Sequence, residues 1–66
     1  MNAPTEREIA WAHGEARNRV EDERLLRRGV IRIEQMWGAR CERRKDAGLS
    51  GAGYRKLLRF VEGENG

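Results

Sequence analysis

The side chains able to do chemistry are few in this chain, and their spacing argues against catalysis. His13 is the single histidine, and no serine or cysteine lies near it in sequence. A nucleophile paired with a base therefore has no local support, and a surface or partly buried imidazole is the reading that fits. Glu21-Asp22-Glu23 has the residue types of a metal ligand set or a general base. Consecutive helical positions point in three directions, so these carboxylates cannot converge on one ion. They read instead as a solvated turn pairing with Arg17, Arg19 and Arg24. Cys41 is the only cysteine, which rules out an intrachain disulfide and a thiolate metal framework and suits a reducing cytosol. No glycine-rich phosphate loop of recognised spacing occurs. The expectation is a non-enzymatic chain without cofactor or metal. Cytoplasmic location is expected, since no secretory, bilayer-spanning or lipidation pattern is present.

Charge is the more informative feature. Charged residues make up 38% of the 66 positions, with a formal net charge of +3. Seven acids offset seven arginines from Met1 to Gln35, whereas seven basic residues face four acids from Met36 onward. The basic side chains there are Arg40, Arg43, Arg44 and Lys45, then Arg55, Lys56 and Arg59. If a turn at 48–53 folds the two sets together, they form one positive face for phosphate or for an acidic protein. Arginine suits phosphate because its planar fork donates two hydrogen bonds at once.

These residues must be carried by helices. Thr5-Glu6-Arg7-Glu8 after Pro4 has the pattern of a capping box, and Gly48 after Arg43-Arg44-Lys45 that of a helix end. Between them only Gly29, after Arg27-Arg28, suggests a stop. Arg28-Gly29 offers no strong cap for a helix beginning at Val30, and the apolar phase carries across the glycine. Ile9, Ala12, Ala16, Arg19, Glu23, Leu26, Val30, Ile33 and Trp37 follow one heptad register, with seven apolar members among nine. The pattern predicts an all-α fold with one long amphipathic helix over about 5–46, running through Gly29 with at most a kink there. A break at Gly29 into an antiparallel hairpin is the main alternative. A short C-terminal helix over about 51–62 follows, capped by Ser50, with Tyr54, Leu57, Leu58 and Val61 on one face. The β-branched run Val30-Ile31-Arg32-Ile33 has no second strand to pair with.

A helix of about 42 residues would extend about 63 Å, and its stripe needs covering. The economical solution is a homodimer along Ile9, Ala16, Leu26, Val30, Ile33 and Trp37, with Arg19 and Glu23 as a polar layer setting register. The chain reads as a single small helical domain with frayed ends at 1–4 and 63–66. Trp37 is expected in the core. Trp11 lies off the stripe, either as an exposed protein-contact anchor or packed against the last helix.

Two resemblances cover the basic segment. Gly48, Leu49, Ser50, Tyr54 and Leu57 follow a helix-turn-helix pattern, although Arg44 stands where a small buried residue is usual. Ile33-Glu34-Gln35-Met36-Trp37-Gly38-Ala39 and Ala52-Gly53-Tyr54-Arg55-Lys56-Leu57-Leu58 resemble the N-terminal part of bacteriophage Q-type antitermination proteins. That part carries a Leu-Glu-x-Trp-Gly-Ala-Trp element and a later Ala-Gly-Phe-Lys-x-Leu element. Arg40 replaces the family's second tryptophan, and its longer C-terminal region has no counterpart here. The resemblance implies a phage-derived protein acting near transcription. Together these features predict a regulator that binds a host protein complex (polymerase, nuclease or defence complex) through an arginine-rich helical surface. The alternative is a nucleic-acid-binding transcription regulator using 40–59.

Overall fold

The computed structural model describes residues 3–65, and over them the chain forms three helices: α1 (Glu6–Arg27), α2 (Ile33–Asp46) and α3 (Gly51–Asn65). No strand occurs among the described residues. The capping box at Thr5 forms as its spacing predicts. The Thr5 hydroxyl accepts from the Glu8 amide at 3.1 Å, and the Glu8 carboxylate accepts from the Thr5 amide at 2.8 Å.

The long helix over 5–46 does not form, because Gly29 ends α1. Its φ is +75°, and the Gly29 and Val30 amides donate to the carbonyls of Leu26 and Leu25 at 3.1 and 2.9 Å. This double bond pattern around a left-handed glycine closes a helix C-terminus without any following cap. The weak start that favoured continuity is met by spacing: α2 begins three residues later than Val30. Arg32 holds an extended conformation, and the Gln35 side chain accepts from its amide at 2.8 Å. The helix of about 63 Å is also longer than the molecule, whose greatest dimension is 39 Å.

The second stop works in the same way and was legible in the sequence. Gly48 has φ +73°, and the Gly48 and Leu49 amides donate to Lys45 and Arg44 carbonyls at 2.9 and 3.1 Å. Ser50 then caps α3, accepting from the Gly53 amide at 3.0 Å. Helix α3 continues past Gly63 to Asn65, beyond the expected stop, while Met1, Asn2 and Gly66 of the expected frayed ends lie outside the described residues.

Leu57, Leu58 and Val61 of α3 close over Ala12 of α1 to make the core, with Ile9, Trp11, Leu49 and Tyr54 packed at its edge. The four-position spacing expected of α3 is the one buried. Ala12 is small enough to let the two helices approach. Helix α2 instead turns back along the C-terminal half of α1, placing Met36 and Arg40 inside. The continuous apolar stripe is thereby dismantled. Ile9 packs into the core and Ala16 and Leu26 are half-buried, but Val30, Ile33 and Trp37 are 64%, 50% and 58% exposed. Trp37 is therefore a surface residue, contrary to its expected core position. With the chain reversed at Gly29, Met36 and not Trp37 takes the buried position of α2.

Replacing Gly29 by alanine separates the two architectures by sign. Nothing lies within 4 Å of an added Cβ, so only the left-handed conformation matters. Gly29→Ala is expected to lower the urea midpoint, by about 1 kcal/mol of stability. Within an unbroken helix the same change would add about 1 kcal/mol.

Candidate binding surface

The seam between α1 and α2 is polar. Glu15 and Asp22 sit two turns apart on the inner face of α1, and Arg40 and Arg43 lie one turn apart on the facing side of α2. Arg43 grips Glu15 through two bonds of 2.6 and 3.0 Å and reaches Asp22 at 2.8 Å. Arg40 donates to Asp22 at 3.3 Å. Tyr54 of α3 donates its hydroxyl hydrogen to Glu15 at 2.5 Å, so all three helices meet on one carboxylate. The Glu15 side chain is 1% exposed. An isolated carboxylate in that position would be very costly, and the two-pronged arginine makes its burial tolerable.

The titration behaviour of these groups follows from the contacts. Hydrogen bonding to Glu15 pushes the Arg43 guanidinium further above its ordinary range, outweighing the opposing effect of burial. Burial first, and the bond to Glu15 second, push the Tyr54 phenol up to about 12.

This seam changes the expected positive face. Arg40 and Arg43 are turned inward against acids of α1, and Asp22 belongs to that seam rather than to a solvated turn. Glu21 does pair outward, with Arg24 at 3.4 Å. Arg44, anomalous for a helix-turn-helix, donates to the Leu49 carbonyl at 2.7 Å and braces the turn between α2 and α3. Lys45, Arg55, Lys56 and Arg59 remain exposed. The seven basic side chains are thus divided between interior and surface, and do not make one face.

What the fold does assemble is a cavity of about 370 Å³ where the three helices converge, lined by Arg19, Arg40, Arg44, Arg55, Trp37 and Tyr54 among others, with no carboxylate in its wall. Arg19, expected as part of a dimer's polar layer, enters it from α1, while Glu23 faces solvent. The Arg40 guanidinium lies 5.4 Å from the centre of the Trp37 ring. Cys41 also borders the cavity, half-buried and 3.6 Å from an Arg44 nitrogen. Trp11 is not an exposed anchor. It is half-buried and meets the Tyr54 ring edge-on at 6.0 Å, the packing alternative. His13 is half-buried too.

A second surface feature lies at the corner joining α1 to α2. Val30 and Ile33 are exposed there, Trp37 follows one turn later, and the neighbouring Arg24, Arg27, Arg28 and Arg32 are exposed as well. No acid occurs between Arg24 and Ile33. Counting charge by halves of the chain hides this corner, because the acids that neutralise the N-terminal half include Glu15 and Asp22, which face inward. Among the described residues no group of acidic, histidine and cysteine side chains is arranged to hold a metal ion, and no helix is long and apolar enough to cross a membrane.

Comparison with protein families, curated proteins and solved structures finds no match to this chain. The surface is therefore read from its own side chains.

Removing Arg43 leaves Glu15 buried and uncompensated. Arg43→Ala is expected to cost about 3–5 kcal/mol, against a total stability of about 3–10 kcal/mol for a domain this size. Far-UV circular dichroism should show a largely unfolded or marginal helix signal, while Arg59→Ala at an exposed site stays within about 0.5 kcal/mol of the parent. Tyr54 adds a pH dependence. Its raised phenol pKa contributes stability that is complete below pH 10 and is lost as pH rises from 10 toward 12, because the unfolded phenol ionises first. Tyr54→Phe is expected to flatten that alkaline loss and to cost about 1.5–3 kcal/mol at neutral pH, read from urea titrations.

Proposed function

We propose that this protein is a non-enzymatic binding module that docks on an acidic surface of a partner protein complex through the corner between α1 and α2. The observation that carries this reading is the exposure of Val30 and Ile33 in the acid-free stretch from Arg24 to Ile33, which holds four arginines, with exposed Trp37 one turn further on past Glu34. Tryptophan and arginine are the side chains that most often dominate binding energy at protein interfaces. An apolar centre supplies affinity once water is excluded, and the arginine rim selects an acidic partner and speeds encounter. Of the two segments resembling Q-type antitermination proteins, Ile33–Ala39 in α2 belongs to this corner, whereas Ala52–Leu58 lies in α3 against the N-terminal half of α1. On that likeness the partner belongs to a host transcription, nuclease or defence complex, regulated by a phage- or mobile-element-type protein.

Nucleic-acid binding by the whole 40–59 segment is less favoured, because Arg40 and Arg43 are committed to Asp22 and Glu15. A homodimer remains a second reading, supported by the same exposed apolar residues together with Val20, 56% exposed. Its two-fold symmetry would bring like arginines together, which works against it unless counter-ions intervene.

Two measurements separate these readings. Light scattering at micromolar concentration is expected to report the 7.6 kDa monomer; twice that mass assigns the corner to a second copy. Immobilised protein is expected to retain one acidic partner from nuclease-treated bacterial lysate, and Ile33→Ala with Trp37→Ala to release it while the helix content is unchanged. Loss of every partner after nuclease treatment would instead support nucleic acid.

A further inference from the structure

The cavity between the three helices has a composition that the docking corner does not explain. Four arginines border about 370 Å³ of space without one carboxylate in the wall. Like charges repel when gathered in this way, and only Arg40 among them has an acid beside it, Asp22 at 3.3 Å. Arg44 is held by the Leu49 carbonyl, whereas Arg19 and Arg55 pair with no carboxylate among the described residues. Arg40 is 8% exposed, and its Nη2 is buried without a hydrogen-bond partner. A donor left in that condition is destabilising, and a neighbouring anion would offset the loss through the guanidinium's charge. Gly51, in the first turn of α3, also borders the space and adds the positive end of a helix dipole.

We propose that this cavity is an oxyanion site that takes the phosphate of a nucleotide, with the base laid on the outer side of Trp37. Arg19 from α1 and Arg55 from α3 hold the phosphate oxygens, each through the planar fork that suits them. Arg40 covers one side of the Trp37 ring at 5.4 Å, yet the residue remains 58% exposed, leaving flat aromatic surface at the cavity mouth. A base stacked there would tighten binding about 5- to 150-fold. The volume accommodates one small ligand, at the lower end of the usual range of about 300–1,000 Å³ for such pockets. A carboxylate alone would satisfy the charge but would leave the tryptophan surface unused. The phosphate can come from a free nucleotide or from one unit of a single strand, since both present the same groups.

The test is calorimetric titration of the full chain with adenosine monophosphate, inorganic phosphate, adenosine and a short oligo-dA strand, with tryptophan fluorescence recorded in parallel. Adenosine monophosphate is expected to bind one to one and quench fluorescence, with phosphate and adenosine each at least about tenfold weaker. Arg19→Gln and Arg55→Gln should each weaken binding about tenfold. Trp37→Leu should remove the quenching and leave the weaker phosphate binding in place. Saturation by the oligonucleotide at equal or lower concentration assigns the phosphate to a strand, and its exclusion assigns it to a free nucleotide. No saturable binding below about 10 mM, a range weaker than specific recognition, overturns the proposal. So does an Arg59→Gln variant that loses as much affinity as Arg55→Gln, which would mean diffuse charge attraction. Because Arg19 and Arg55 lie outside the docking corner, failure here leaves the protein-binding reading untouched.

Discussion

Glu15 is the residue on which the three helices depend, because a carboxylate with 1% side-chain exposure must be met by partners that only the tertiary fold supplies. Arg43 comes from α2 and Tyr54 from α3, and both converge on its two oxygens. A net stabilisation from such a buried pair is small, since desolvation of both ions offsets their attraction. Its larger effect is on uniqueness. A slide of α2 along α1 by one turn would break the two-pronged Arg43–Glu15 contact and the link from Arg43 to Asp22, and a loosened α3 would remove the phenol. The polar seam thus specifies register where α2 has a single buried apolar residue, Met36, to do so.

The same seam determines what is left for function. Two of the arginines expected to face a partner are turned inward, and the acids expected to keep the N-terminal half neutral are turned inward with them. Positive charge on the outside therefore concentrates in two places that sequence position does not suggest: the corner from Arg24 to Ile33, and the cavity where Arg19 joins Arg44 and Arg55. Trp37 connects the two. Its exposure follows from the chain reversal at Gly29, which gives Met36 the inner position and turns the tryptophan outward.

The separation between the two halves of the fold is also physical. Helix α3 is held to α1 chiefly by Leu57, Leu58 and Val61 against Ala12, an apolar contact with no titrating group, beside the one polar link from Tyr54 to Glu15. Helix α2 is held to α1 largely by charge and hydrogen bonds, which tolerate less change in partners or protonation. A surface carried on α2, such as the one around Ile33 and Trp37, rests on the more specific but less forgiving of the two attachments.

Local signals in the chain were sufficient for everything that depends on a few neighbouring residues. The capping box of Thr5 and Glu8, the Gly48 stop, the Ser50 cap and the buried spacing of Tyr54, Leu57, Leu58 and Val61 are all written in adjacent positions, and all form. Gly29 is the instructive case. Its place after Arg27-Arg28 marked a stop, but an apolar phase continuing through it argued for one helix, and phase alone carries no information about whether a chain turns. In a hairpin turning at Gly29, Glu15 and Arg43 stand fourteen residues to either side, a charge match present in the sequence but meaningful only once the reversal is known. The burial of Glu15, the inward turn of Arg40 and Arg43, the exposure of Trp37 and the grouping of Arg19 with Arg55 were decided by tertiary structure alone. Each depends on which residues from distant segments face one another, and periodicity along one helix does not encode that.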